Sequence, residues 1–271
     1  MLRKLMKHEL RATGRIMLPM FLLVIVSAAL ANLSTRVLLE TDNDYLNFLG
    51  ILLTTVFVLA ITAMCIVAFV LMIQRFYKSL LQDEGYVMMT LPVSVHQHLF
   101  SKLLTSLLWY IGAGVVAMLA IVILVFDINF ADQVVRFFRD LVEMLPKLDM
   151  DAMNILFFAL EMLLFILVGA ASSCMQFYAA LSAGHSFPNH KMLLSVAFYF
   201  GMQFALQLLG GALAMIVGSS GIIPPLSHIM PNSPYAATHL LMLFMLLAAA
   251  AYGAIFYFVT TYFLKKRLNL E

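Results

Sequence analysis

The chain has 271 residues, 63% of them hydrophobic and only 11% charged, with a mean hydropathy of +0.99 and a formal net charge of +2. A soluble globular domain carries roughly 45–50% apolar and about 25% charged residues, so this composition excludes one, and the near-neutral charge argues against a nucleic-acid partner. At about 20 apolar residues per transmembrane helix, the length holds about six spans and little else.

Taken in chain order, the first element is a basic amphipathic segment, residues 1–15. On a helical wheel Leu2, Leu5, Met6, Leu10 and Thr13 share one face, and Arg3, Lys4, Lys7, Arg11 and Arg15 share the opposite one. That pattern predicts an interfacial helix lying on an anionic leaflet before the chain turns into the membrane. The basic start and Ala29-Leu30-Ala31 superficially fit a secretory signal, but the apolar run continues to Leu39, which favours an uncleaved anchor. The predicted spans are Ile16–Leu39, Leu46–Ile73, Phe100–Phe126, Ile155–Leu181, Leu193–Val217 and Leu240–Leu264.

Basic residues set the predicted orientation. Arg3, Lys4, Lys7, Arg11, Arg15, Arg75, Lys78, Lys102, Lys191, Lys265, Lys266 and Arg267 fall on one side; only Arg36, Arg136, Arg139 and Lys147 fall on the other. Both termini are therefore expected in the cytoplasm. Between the second and third spans lies a polar island, residues 74–98. Arg75–Gln82 has helix-forming composition, Gly85 is placed to end that helix, Pro92 forces an extended stretch, and Ser94 with Gln97 forms a capping box for the next helix. Asp83 and Glu84 are the only adjacent acidic pair on the predicted cytoplasmic side. An ordinary solvated loop is the plainer reading of such charges.

The external connections carry their own patterns. Within 127–154, Val134, Val135, Phe138, Leu141, Val142 and Leu145 recur at helical spacing opposite Asp132, Arg136, Arg139, Asp140 and Glu143, which predicts an external amphipathic helix. Pro224, Pro225, Pro231 and Pro234 mark 218–239 as a broken, non-spanning segment.

A basic amphipathic helix, a span pair, the island Arg75-Phe-Tyr-Lys…Asp-Glu-Gly-Tyr…Thr-Leu-Pro-Val-Ser and four further spans together resemble the type-2 class of ABC transporter permeases, in particular stand-alone membrane subunits of Gram-positive bacteria. The resemblance covers the whole chain in topology and is most specific at the island. It implies a single permease domain over 1–271 in the bacterial cytoplasmic membrane, forming half of a translocation path with a second copy or a sister permease. It also implies a separate ABC ATPase subunit, docked on a coupling helix and turn at Tyr77–Gly85. Arg75, Tyr77, Lys78, Gln82, Asp83, Glu84 and Gly85 are the residues this would place at the dock. The segment 218–239 corresponds to the family's outward re-entrant elements, and the cargo class it suggests is an amphipathic peptide or a lipid-like molecule.

The chain contains no Gly-x-x-x-x-Gly-Lys-Ser/Thr loop to cradle a nucleotide, so no cofactor and no catalysis are expected within it. His8-Glu9 opens like a zinc-protease motif but lacks the second histidine, position 12 being Ala12. His185 and His190 lack a nearby third ligand, so a solvated turn is favoured over a metal pair. Cys65 and Cys174 lie in apolar runs and read as packing residues. Two rival functions stay open: an ion-coupled carrier, and a non-transporting scaffold or immunity protein. For the first, Glu161 is the only acid inside an apolar run, and it can sit either at the outer interface or in a substrate path with Gln176, Gln203 and Gln207. Small-residue stripes at Gly210, Ala214 and Gly218, at Ala249 and Gly253, and at Ala250 and Ala254 allow close helix approach. The reading is an all-α polytopic membrane protein.

Overall fold

The computed structural model describes residues 2–38, 43–82, 84–90, 92–126, 152–220 and 234–266, with positions 130, 132, 135, 136, 139 and 140. The external helix expected over 127–154 and the broken segment over 218–239 fall largely outside these residues, as do Asp83 and the tail from Arg267. The described chain is helical, with no strand: α1 (Leu2–Leu33, followed by a π-helical turn, Ser34–Leu38), α2 (Asp44–Leu80), α3 (Glu84–Thr90), α4 (Val95–Val125), α5 (Ala152–Gly184), α6 (Lys191–Ser220) and α7 (Pro234–Lys266). All but α3 are long and apolar enough to cross a bilayer, and the protein is an all-α, multi-pass membrane protein. Large apolar side chains such as Leu22, Phe48, Phe204 and Phe244 stand exposed along the spans. In lipid this is the stable arrangement, since acyl chains are as apolar as the side chains they meet.

The basic segment is amphipathic as its spacing predicts, but it is no separate element. Arg3, Lys4, Lys7, Arg11 and Arg15 are exposed on the first four turns of a helix that continues unbroken into the first span. Pro19 lies inside α1, where its missing N–H leaves the carbonyl four residues earlier without its helical donor.

The molecule divides into two compact units. The first comprises Met1–Arg75 and Gln97–Val142. Its core is three stripes at three- and four-residue spacing: Val24, Ala28 and Ala31 of α1; Phe57, Ala60 and Met64 of α2; Ala113, Val116 and Ala120 of α4. Alanine dominates these stripes because helix association in lipid is driven by close packing, and small side chains let backbones approach. Asn32 closes one end: its Nδ2 donates to the carbonyls of Ile123, Leu124 and Phe126 at 2.8–3.0 Å, capping the last turn of α4.

The second unit comprises Phe76–His96 and Glu143–Glu271, and α5, α6 and α7 form its body. Gly253 of α7 admits Ser172 of α5, whose Oγ donates to the Ala249 carbonyl at 2.7 Å; a Cβ at position 253 would stand 2.5 Å from that oxygen. The Ala249 and Gly253 stripe is thus packing within the chain. Among the described residues, nothing lies within 4 Å of where a Cβ at Gly210, on α6, would project.

Candidate functional site

The connection between the second and third spans differs in shape from its sequence expectation. Arg75–Leu80 is the end of α2 itself, a turn follows at Leu81–Gln82, and a distinct short helix, α3, begins at Glu84. Gly85 does not end a helix; it is the second residue of α3, with its N–H donating to the Gln82 carbonyl at 2.7 Å. An acid at the first position of α3 complements the positive end of the helix dipole, and glycine costs least in a helix at its ends. The helix stops at Thr90, two residues before Pro92, since proline disfavours helical backbone in the residue preceding it. α4 then starts immediately after Ser94, where the capping box places it.

The island residues separate by exposure. Lys78, Gln82 and Glu84 are exposed, as is Tyr86, and Lys78 lies 3.6 Å from Glu84 in a surface pair worth about 0–1 kcal/mol. Gly85 is buried. Arg75 turns instead to Glu9, and Tyr77 sets its ring against the edge of His185, 5.1 Å between centroids. Phe76 stacks on Tyr178 of α5 at 4.1 Å with the planes nearly parallel, both rings fully buried. On the other side, His96 of α4 bonds Tyr257 of α7 through Nδ1, while Lys265 Nζ donates to His96 Nε2 at 3.0 Å. An ammonium donor at Nε2 puts the imidazole proton on Nδ1, so His96 donates to the Tyr257 oxygen. The connection is therefore tied to α5 by stacked rings and to α7 by a polar chain.

Those same helices enclose a polar cleft with α6. Tyr252 of α7 donates to Gln176 Oε1, and Gln176 Nε2 donates to Gln203 Oε1 of α6 at 2.9 Å. Tyr199, Ser172, Ser173 and Gln207 complete the polar lining of a cleft of about 490 Å³. Three of the four residues singled out as a path are thus gathered in one place. Glu161 is not: its Oε2 lies 2.8 Å from His239 Nδ1, both side chains about three-quarters covered, and it is about 22 Å along α5 from Gln176.

A second charged cluster escaped sequence reasoning. Glu9 of α1 accepts from Lys102 Nζ of α4 at 2.8 Å and from Arg75 Nε of α2 at 3.1 Å, with Glu9 and Lys102 both 3% exposed. One helical turn further along, Trp109 Nε1 donates to Thr13 Oγ1 at 2.7 Å, and Thr13 in turn donates to the Glu9 carbonyl. Each charge lies in a different helix, so only the fold could join them. The one available signal was an acid, Glu9, on the otherwise basic first segment.

The turn between α5 and α6 corrects another expectation. His190 is exposed, with a left-handed φ of 55°, and its carbonyl accepts from Leu194 as α6 starts. His185 is not solvated: it is 2% exposed, and its Nδ1–H donates to the Leu181 carbonyl at 2.9 Å. Burial holds its imidazole below the ordinary value of 6.5, with nearby Lys191 adding to the shift and the bond to Leu181 opposing it. Among the described residues no three His, Cys, Asp or Glu side chains converge on a metal-sized site. No protein-family model, curated protein or solved structure matches this chain.

Proposed function

We propose that the protein is the membrane subunit of an ATP-driven exporter, forming half of a translocation path and working with a separate ABC ATPase. Twelve of its 16 basic residues lie on one predicted side of the spans, which supports a cytoplasmic location for both termini and the α2–α4 connection. One observation carries the reading: the helix ends that flank the short helix are anchored, the end of α2 to α5 through Phe76 and Tyr178, and the start of α4 to α7 through His96, Tyr257 and Lys265. α5 and α7 line the polar cleft. A motor pressing on α3 would act on the walls of that cleft through these two flanking helix ends. Lys78, Gln82 and Glu84 offer the motor a mixed-charge surface, while Arg75 and Tyr77 hold the connection in place. The complete path then takes a second copy or a sister permease, and an amphipathic or lipid-like cargo fits a cleft whose lining mixes amides and hydroxyls with Leu206 and Ala249.

The test is whether an ABC ATPase is encoded beside the gene and co-purifies with the protein, together with the ATPase rate of the complex. Reversing Asp83 and Glu84 to Lys should abolish capture and stimulation; if both persist, α3 is not the dock. A second reading, ion-coupled transport, draws support from the Glu161–His239 pair, a carboxyl and an imidazole 2.8 Å apart on two spanning helices. It predicts transport that survives without ATP and is lost in Glu161→Gln.

A further inference from the structure

We propose that the cleft between α5, α6 and α7 binds an uncharged glycerolipid, which reaches it sideways from the bilayer. The idea rests on the transport reading only in making that lipid the cargo. Gln203 and Gln207 lie near the middle of α6, and Ala249 and Tyr252 near the middle of α7, so the cleft sits at hydrocarbon depth. Amides, hydroxyls and aliphatic groups line it, with no side chain that is ionised at neutral pH. A charged headgroup there would leave water with no counter-charge to meet it, which is costly; an uncharged one escapes that cost.

The hydrogen bonds define which uncharged group fits. The series runs one way, from Tyr252 to Gln176 to Gln203, and ends on the amide NH₂ of Gln203. Among the described residues neither that NH₂ nor the amide of Gln207 has a hydrogen-bond partner, and Gln207 is exposed one turn along the same face. Two amide groups with donors to spare in lipid call for acceptor oxygens: ester carbonyls and the hydroxyls of glycerol or a sugar. The adjoining face of α6 supplies the remainder of the fit. Leu194, Phe198, Gly201, Met202 and Ala205 line an apolar groove of about 480 Å³, with Met202 next to the polar face on the helical wheel. A polar cleft beside an apolar groove matches a headgroup with an acyl chain. Exposed Phe204 and Leu208 open this helix to the bilayer.

The experiment uses the full chain in phosphatidylcholine nanodiscs, without ATPase, and a diacylglycerol carrying a photoreactive acyl chain. Labelling should map to α5–α7 and be competed by dioleoylglycerol and monoglucosyl-diacylglycerol but not by phosphatidylglycerol. Gln203→Leu and Gln207→Leu should each lower labelling about three- to tenfold, the worth of one hydrogen bond. Circular dichroism checks that the helices persist, and Phe198→Trp, which fills the groove and leaves the amides untouched, should lower labelling as well. Equal competition by phosphatidylglycerol overturns the proposal, as does unchanged labelling in the variants. Displacement by a neutral apolar peptide but not by dioleoylglycerol assigns the cleft to peptide and also overturns it. Disulfide formation between copies of Gln207→Cys that excludes the lipid assigns it to a second subunit. Because no motor is present, failure here leaves the docking test untouched, and failure of docking leaves this result standing.

Discussion

Glu9 shows how a single residue changes meaning between sequence and structure. In sequence it sits beside His8 as half of a broken metal motif; in the fold it holds Lys102 and Arg75 together across three helices. Taking one charge out of a buried pair leaves the other uncompensated, so Glu9→Gln should destabilise by about 3 kcal/mol, read as a lowered thermal midpoint in detergent. Replacing the trio with Glu9→Met, Lys102→Met and Arg75→Leu should recover most of that loss, because apolar groups of similar volume avoid the desolvation cost. His185 gives a pH-dependent signal of the opposite origin. Its folded imidazole is held below 6.5, so the unfolded chain takes up a proton first as pH falls. The stability that neutral His185 contributes is present in full above pH 6.5 and is lost as pH falls through that value toward the lowered folded one. Thermal midpoints measured between pH 8 and pH 5 should drop on the acid side, and His185→Gln should flatten that dependence.

At the scale of elements, glycines distinguish packed contacts from open faces. Gly184 ends α5, and a Cβ there would stand 2.5 Å from the Ser195 nitrogen and 2.6 Å from its Cα. Those are backbone atoms of α6 that cannot swing aside. Alanine is the better helix former by about 1 kcal/mol, yet overpacking costs about 1–3 kcal/mol, and the clash decides the sign. Gly184→Ala should lower the thermal midpoint, whereas Gly210→Ala, which meets nothing, should hold or raise it. The island also belongs at this scale. Its helix-forming composition, the non-helical stretch at Pro92 and the restart after Ser94 were legible because each depends on local backbone chemistry, whereas Gly85 was misplaced as a helix end. The division into the end of α2 and a separate α3 was not, because Phe76 and Leu80 are buried by tertiary packing that extends the second span.

For the whole molecule, orientation is the property most open to a direct check. Reporter fusions at either terminus should read as cytoplasmic, and a cysteine reporter at Val135 should react with an impermeant reagent from outside; the opposite pattern would remove the basis for a cytoplasmic dock. Cys65 is exposed along α2 and is replaced first in such a design, whereas Cys174 is buried. The spans themselves needed only the sequence, since about 20 apolar residues in a row cannot pair their backbone groups in lipid except as a helix. The basic face of the first segment was equally plain, because helical periodicity alone sorts Arg3, Lys4, Lys7, Arg11 and Arg15 from Leu2, Leu5 and Leu10. Which polar groups meet was decided by the tertiary structure. Gln176, Gln203 and Tyr252 come from three helices, as do Glu9, Arg75 and Lys102, and no spacing along the chain encodes a contact across spans. Hydrophobicity drives each helix into the membrane independently, but lipid is indifferent to which helix lies beside which. Side-chain packing and the few polar bonds available in lipid make that choice.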